Sequence, residues 1–229
     1  MIPQSKGKMF LSDERGLTQQ DWYRSYQTFN FGNYYNNHKQ PFSDLHVLND
    51  DTLAAAQSIR MSVQEQTAVL LIPIVGAIGC RDHNGDHTMI EPGMVQLLAL
   101  PARSGFQVNN PYKAEADLVN FLQLWVKTKN AANQLFSFDL PANRNQLTEI
   151  FRLGNTIGYM GQFDGRAEAT LRVSKPGNAL FAYVIEGAFE VQYRLMHARD
   201  GLVLWDLDET ELEALSNNAI IMLIEIAPR

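Results

Sequence analysis

Short apolar stretches with period-two alternation, punctuated by glycine, proline and asparagine, run through most of this chain. Val69-Leu70-Leu71-Ile72-Pro73-Ile74-Val75 is rich in β-branched residues and stops at Gly76, which predicts a buried strand. Asp117 to Val126 predicts another. Leu118, Asn120, Leu122, Leu124 and Val126 fall on one face, and Val119, Phe121, Gln123 and Trp125 on the other. Asn84-Gly85, inside Arg81 to His87, predicts a two-residue type I′ hairpin turn, whose central residues both need positive φ. Glu91-Pro92-Gly93 predicts a further turn, and strands are expected over 157–163, 167–173, 180–192, 203–206 and 219–226. Asp208 to Ser216 reads two ways. Propensity favours a helical turn with Leu212 and Leu215 on one side, whereas alternation puts Thr210, Leu212 and Ala214 on one strand face. Matching it to Met94 to Leu100 favours a strand. Short strands with regular turns predict an all-β chain of sandwich or barrel type, with few short helices.

The pattern also repeats. Pro73-Ile74-Val75-Gly76-Ala77-Ile78 is echoed by Val184-Ile185-Glu186-Gly187-Ala188-Phe189. Each copy is followed by a hairpin-like turn, an apolar strand and a second turn, the last at Ala198-Arg199-Asp200-Gly201 in the second copy. Two copies of one barrel leave such a trace. Lys127 to Arg144 lies between them, polar, rich in asparagine and containing Pro141. A junction near residue 133 follows, giving domains 1–133 and 134–229.

The chain has 229 residues, enough for one large or two compact domains that bury a core without disulfides. Its formal charge of -6, without any run of Lys or Arg, argues against a nucleic-acid partner. The single cysteine, Cys80, excludes an internal disulfide and a Cys-based zinc site. Alternation sets it on the side of Ile78 and away from Arg81, as an inert buried thiol rather than a redox sensor. No apolar signal segment follows the first residues, and runs such as 68–78 are too short to cross a bilayer. A cytoplasmic protein with no membrane partner is expected.

Arg15-Gly16, Trp22, Ser25-Tyr26-Gln27-Thr28-Phe29-Asn30-Phe31-Gly32, Tyr34, Phe42, Leu45 and Val47-Leu48-Asn49-Asp50-Asp51 together resemble the N-terminal signature of the pirin family. The resemblance carries specific motifs over roughly the first 125 residues. It implies a bicupin: two cupin barrels of double-stranded β-helix (jelly-roll) type in one chain. In pirins a metal ion in the N-terminal barrel is held by a His-x-His pair and a His-x-Glu pair. Residues two apart on a strand face the same side, so each pair points inward together, and this donor set suits a non-haem iron or similar ion. Flanking matches at Gly76, Arg81-Asp82, Gly93, Val95-Gln96 and Asn110 set the register. The first pair becomes Ser62-x-Gln64 and the second Phe106-x-Val108. Ser and Gln ligate such a metal poorly; Phe and Val cannot ligate it. No histidine lies within 53–70 or 89–118. Neither a metal nor another cofactor is therefore expected, and the four positions are expected to line a packed lumen or a metal-free pocket for a small, mostly apolar ligand. Ser62 and Gln64, with Arg60 or Arg103, would orient that ligand.

The five histidines offer no replacement by spacing. In a two-residue loop His83 would pair with Asp86, and Asp82 with His87, so the two imidazoles would point to opposite sides. His38, His46 and His197 are expected at loops or edges. There is no Gly-x-Ser-x-Gly elbow, and Gly154-Asn155-Thr156-Ile157-Gly158 lacks a phosphate-loop lysine. The aromatic cluster from Trp22 to Tyr35 is expected to pack rather than to stack on bases. The pirin resemblance implies quercetin 2,3-dioxygenase activity or, in eukaryotic members, binding to transcriptional regulators. Three readings stay open: a non-catalytic, metal-free sensor of small molecules or protein-binding module, a cofactor-free enzyme of another class, and a metal dioxygenase with displaced ligands. The missing ligands favour the first. The chain is expected to be a monomer or a dimer.

Overall fold

The computed structural model describes residues 5–128 and 130–227. The chain runs through β1 (Lys6–Phe10), β2 (Gly16–Gln19), β3 (Tyr23–Gln27), β4 (Leu45–Leu53), β5 (Ser58–Ser62), β6 (Thr67–Val75) and β7 (Ile78–Arg81). There follow β8 (His87–Ile90), β9 (Met94–Leu100), β10 (Gly105–Asn109), β11 (Val119–Lys127) and β12 (Gln134–Ser137). Next come β13 (Thr148–Leu153), β14 (Thr156–Phe163), β15 (Glu168–Arg172), β16 (Ala179–Glu186) and β17 (Ala188–Val191). The last four are β18 (Arg194–His197), β19 (Gly201–Trp205), β20 (Glu209–Ala214) and β21 (Ala219–Ile226). Among the described residues the helical content is one 3-10 turn, Ser12–Glu14, and no helix is long and apolar enough to cross a membrane.

The strands build two compact units, one of residues 15–137 and one of the residues up to 14 and from 138 on. The first has a seven-stranded sheet, β12-β9-β6-β11-β4-β3-β2, and a four-stranded sheet, β5-β10-β7-β8. The second has a six-stranded sheet, β1-β19-β16-β21-β14-β13, and a four-stranded sheet, β15-β20-β17-β18. Each is a cupin barrel closed by two sheets. The division 1–133 and 134–229 shifts at both ends because edge strands decide it. Gln134 to Ser137 pair with Leu97 to Met94 of β9, so they belong to the first barrel. Lys6 to Phe10 pair with Trp205 to Gly201 of β19, so the N-terminal strand belongs to the second. β12 and β1 thus take the same place in the two barrels, and each covers the open ladder of its neighbour.

The sequence echo marks the same device in both barrels. β6 steps from Phe121↔Pro73 to Asn120↔Val75, leaving Ile74 out of the ladder. β16 steps from Val184↔Ile221 to Glu186↔Ile220, leaving Ile185 out. A bulge bends its strand, and Gly76 (φ 72) and Gly187 (φ 77) then turn the chain into β7 and β17. A Cβ on Gly187 would collide with Ser216, so the turn needs glycine for space as well as for φ.

Three local expectations change. The hairpin after β7 closes with Arg81↔His87 as its last ladder pair, and Asp82 N–H donates to Asp86 O (3.0 Å). Its loop is therefore His83-Asn84-Gly85, and of these only Gly85 has positive φ. The cause is Asp82, whose Oδ1 accepts the backbone N–H groups of Asn84 (2.9 Å) and Asp86 (3.0 Å) and so organises a longer turn. A two-residue loop with positive φ at both positions does occur between β17 and β18, at Gln192 (φ 46) and Tyr193 (φ 62). Finally, Asp208 to Ser216 does form a strand, β20, but its counterpart by sheet position is β10 rather than β9.

Candidate functional site

The lumen of the first barrel is the place where the pirin resemblance puts chemistry. In an antiparallel ladder, directly paired residues share a face. On the small sheet Met61 pairs with Phe106 and Ile59 with Val108, and these four, with Val63, Cys80, Ile78 and Ile90, pack against the large sheet. From that sheet come Tyr23, Val47, Leu53, Val69, Leu71, Leu98, Phe121 and Trp125. Trp125 meets Phe106 edge-on at 6.0 Å between ring centroids and Phe31 at 5.4 Å. Aromatic rings in such T-shaped contacts fill volume with favourable quadrupole geometry.

Phe106 and Val108 lie in this packed interior, at 4% and 0% exposure. Ser62 and Gln64 do not, which corrects their expected place in the lumen. Ser62 pairs with Gly105 on the outer face and is exposed; Gln64 lies past the end of β5 and is exposed too. Val63 between them takes the inward position. Arg60 and Arg103 also leave the lumen. Arg60 faces outward opposite Gln107, and Arg103 is an exposed turn residue with φ 60. The four positions therefore bring no pair of donors together, and two of them present only hydrocarbon. Among the described residues no group of three His, Cys, Asp or Glu side chains converges in a way that could hold a metal ion. The donor chemistry does not fit a His/His/His/Glu metal.

A buried polar chain crosses the same lumen, one that pattern reading passed over. Tyr23 Oη donates to Asp51 Oδ1 (3.2 Å), Gln123 Nε2 donates to Asp51 Oδ2, and Trp125 Nε1 donates to Gln123 Oε1 (3.2 Å). Ser25, Asp51 and Phe121 stand in one cross-strand row, and Gln27, Asn49 and Gln123 in the next. Asp51 is fully buried, and that burial pushes its carboxyl up to about 7 against the lowering effect of its donors Ser25, Gln123 and Tyr23. Burial, then the charge of Asp51, raises the Tyr23 phenol as well. The available signal was the acidic residue at an inward position of the strand Val47-Leu48-Asn49-Asp50-Asp51. One carboxylate already engaged by several donors is a structural acid, not a ligand set.

Other signature residues also work structurally. The Arg15 guanidinium lies over the Tyr26 ring (4.5 Å) and bridges to Asp50 (3.2 Å), which also accepts from Asn120 Nδ2 (2.7 Å). Cys80 is buried, and desolvation followed by the charge of Asp82 pushes its thiol up to about 12. His38, His83 and His197 are exposed; His87 accepts from Arg81 Nε (2.6 Å). His46 is half-buried against Trp125, and burial lowers its pKa. In the second barrel Glu225 is fully buried, and its Oε1 accepts from Ser174 N–H, Ser174 Oγ and Asn178 Nδ2 at 2.6 to 2.8 Å, fastening the 173–178 loop to β21.

Two cupin barrels in one chain, the first with a packed lumen crossed by a buried polar chain, define a bicupin. Comparison with known proteins agrees on the class. The Pirin family model matches residues 11–126, and that of the quercetinase C-terminal cupin domain matches residues 155–226. The chain belongs to the pirin family. It is 26% identical over 221 residues to the quercetin 2,3-dioxygenase of Escherichia coli (strain K12), covering 92% of this chain and 95% of that protein. Its fold matches the crystal structure of YhhW from Escherichia coli with a TM-score of 0.85 at 18% identity, over 98% of this chain and 99% of that one. The nickel(II) complex of the bacterial pirin YhhW matches with a TM-score of 0.81 at 18% identity, over 98% and 100%.

Proposed function

We propose that this chain is a pirin-family binding module, recognising a small molecule or a protein partner, and not a metal-dependent dioxygenase. One observation supports the reading: Phe106 and Val108, which the family resemblance sets at the second ligand pair, are packed against Trp125 and Ile59 with no metal-ligating side chain among the four. Filled lumens are the ordinary state of small barrels. A cofactor-free enzyme would need a polar group with access to a ligand, and Asp51 is sealed inside the barrel. The second reading, a quercetin 2,3-dioxygenase, draws on the printed activity of a relative at 26% identity. It would require donors other than the residues at these four positions. The assay is quercetin consumption in air by the protein incubated with iron(II), nickel(II), copper(II) or zinc(II), against metal-only blanks. No turnover above the blanks is expected. Metal-dependent, saturable turnover would establish the second reading.

A further inference from the structure

A row of cationic and donor side chains crosses the outer face of β5-β10-β7-β8. Arg60 stands opposite Gln107, Gln107 opposite Arg81, and Arg81 opposite His87. The face is the one turned away from Ile59, Val108 and Cys80, so the row meets solvent. Adjacent strands lie about 4.8 Å apart, which sets Arg60 and Arg81 roughly 10 Å apart with Gln107 between them. Arg60 Nε donates to Gln107 Oε1 (3.2 Å) and Arg81 Nε to His87 Nε2 (2.6 Å). Both partners are acceptors without a formal negative charge. Among the described residues no carboxylate forms an ion pair with either guanidinium. Asp82 is near, but its oxygens are taken by the N–H groups of Asn84 and Asp86 and by Asn133 Nδ2 (2.7 Å).

The barrel does not demand positive charge here. The equivalent sheet of the second barrel, β15-β20-β17-β18, sets Glu168 opposite Glu213 and Glu213 opposite Glu190. The remaining outward positions of the first sheet, Ser58, Ser62, Gly79, Met89, Gly105 and Asn109, include no acid. In a chain of net charge -6, this face gathers two arginines that form no ion pair among the described residues. They border a surface cavity of about 350 Å³ that Met61, Asp82, Ser104, Phe106 and Gln107 also line, the Asp82 carboxylate being buried and held by Asn84, Asp86 and Asn133.

We propose that this cavity binds a small organic anion, a carboxylate or phosphate monoester carrying a short apolar body. The planar guanidiniums of Arg60 and Arg81 take the anionic head, since their forked donors match carboxylate and phosphate oxygens. Met61, half-buried, offers apolar surface for the body, with the rim of the buried Phe106 behind it. The volume lies at the small end of the usual ligand-pocket range of about 300–1,000 Å³. The site opens on the outer face of the sheet and needs only Arg60 and Arg81 for the anionic head, so the inference goes beyond the proposed function and does not depend on it.

The test is calorimetric titration of the full chain with phenyl phosphate, benzoate and, as the uncharged comparison, benzyl alcohol. Saturable binding of at least one anion is expected, tighter than benzyl alcohol by about tenfold or more, and weakened about tenfold or more in the Arg60→Ala/Arg81→Ala double variant. Arg172→Ala, on the acidic sheet, should leave it unchanged. All three arginines are exposed, and circular dichroism checks that each variant folds. Absence of saturable anion binding, or binding indifferent to Arg60 and Arg81, would overturn the proposal. Quercetin turnover alongside arginine-dependent anion binding would sink the proposed function and leave this site standing.

Discussion

Asp51 sits in an environment far from that of a free side chain. It is an acid sealed in a barrel, with a pKa near 7 in the folded protein against 3.8 for the ordinary group. The folded state therefore holds the proton more tightly than the unfolded chain. Its contribution to stability is fully present below about pH 4 and is lost as pH rises to about 7. We predict that the melting temperature carries a component that falls across this window, and that Asp51→Asn removes it. Melting curves of both proteins from pH 4 to 8 decide the matter; parallel pH profiles would refute it. The inward place of Phe106 and Val108 was legible in the sequence, since they are apolar residues two apart on one strand. The direction of Ser62 and Gln64 was not. It depends on the long-range register Met61↔Phe106, and one residue of register reverses every face. Flanking matches align positions but do not tell which side of a new sheet they meet.

At the scale of elements, strand existence was readable from alternation, while turn type and strand ownership were not. Asn84-Gly85 carries the usual signal for a two-residue turn, yet the Asp82 carboxylate bonds two loop amides and lengthens it. Gln192-Tyr193 carries no such signal and still makes a two-residue turn with positive φ. An L-residue in that region costs about 1–2 kcal/mol, part of which glycine would return as backbone entropy of the unfolded chain. Tyr193 is half-exposed, so little packing is lost on removing its ring. Tyr193→Gly should stabilise the protein by roughly 1 kcal/mol or somewhat less, read as a rise in denaturation midpoint. An unchanged or lower midpoint would show that the ring's contacts outweigh the strain. The junction near residue 133 failed for a related reason. β1 and β12 are edge strands far in sequence from the strands they cover, and composition does not record which ladder an edge joins.

For the whole molecule, the short echo around Gly76 and Gly187 was a true trace of two barrels, because both copies keep the same bulge and the same glycine turn. The copies have diverged in what their outer sheets present, arginines in one and glutamates in the other. The buried polar chain on Asp51 and the bridge from Arg15 to Asp50 give much of the family signature a structural role: those residues hold strands together. Apolar and aromatic side chains pack around Phe106 and Val108 in the first lumen, and we propose that no metal is held there. Elemental mass spectrometry tests it most directly, on untagged protein as purified and again after incubation with iron, nickel, copper and zinc followed by desalting. The account predicts no stoichiometric metal under any of these conditions. One tightly held metal ion per chain would contradict it.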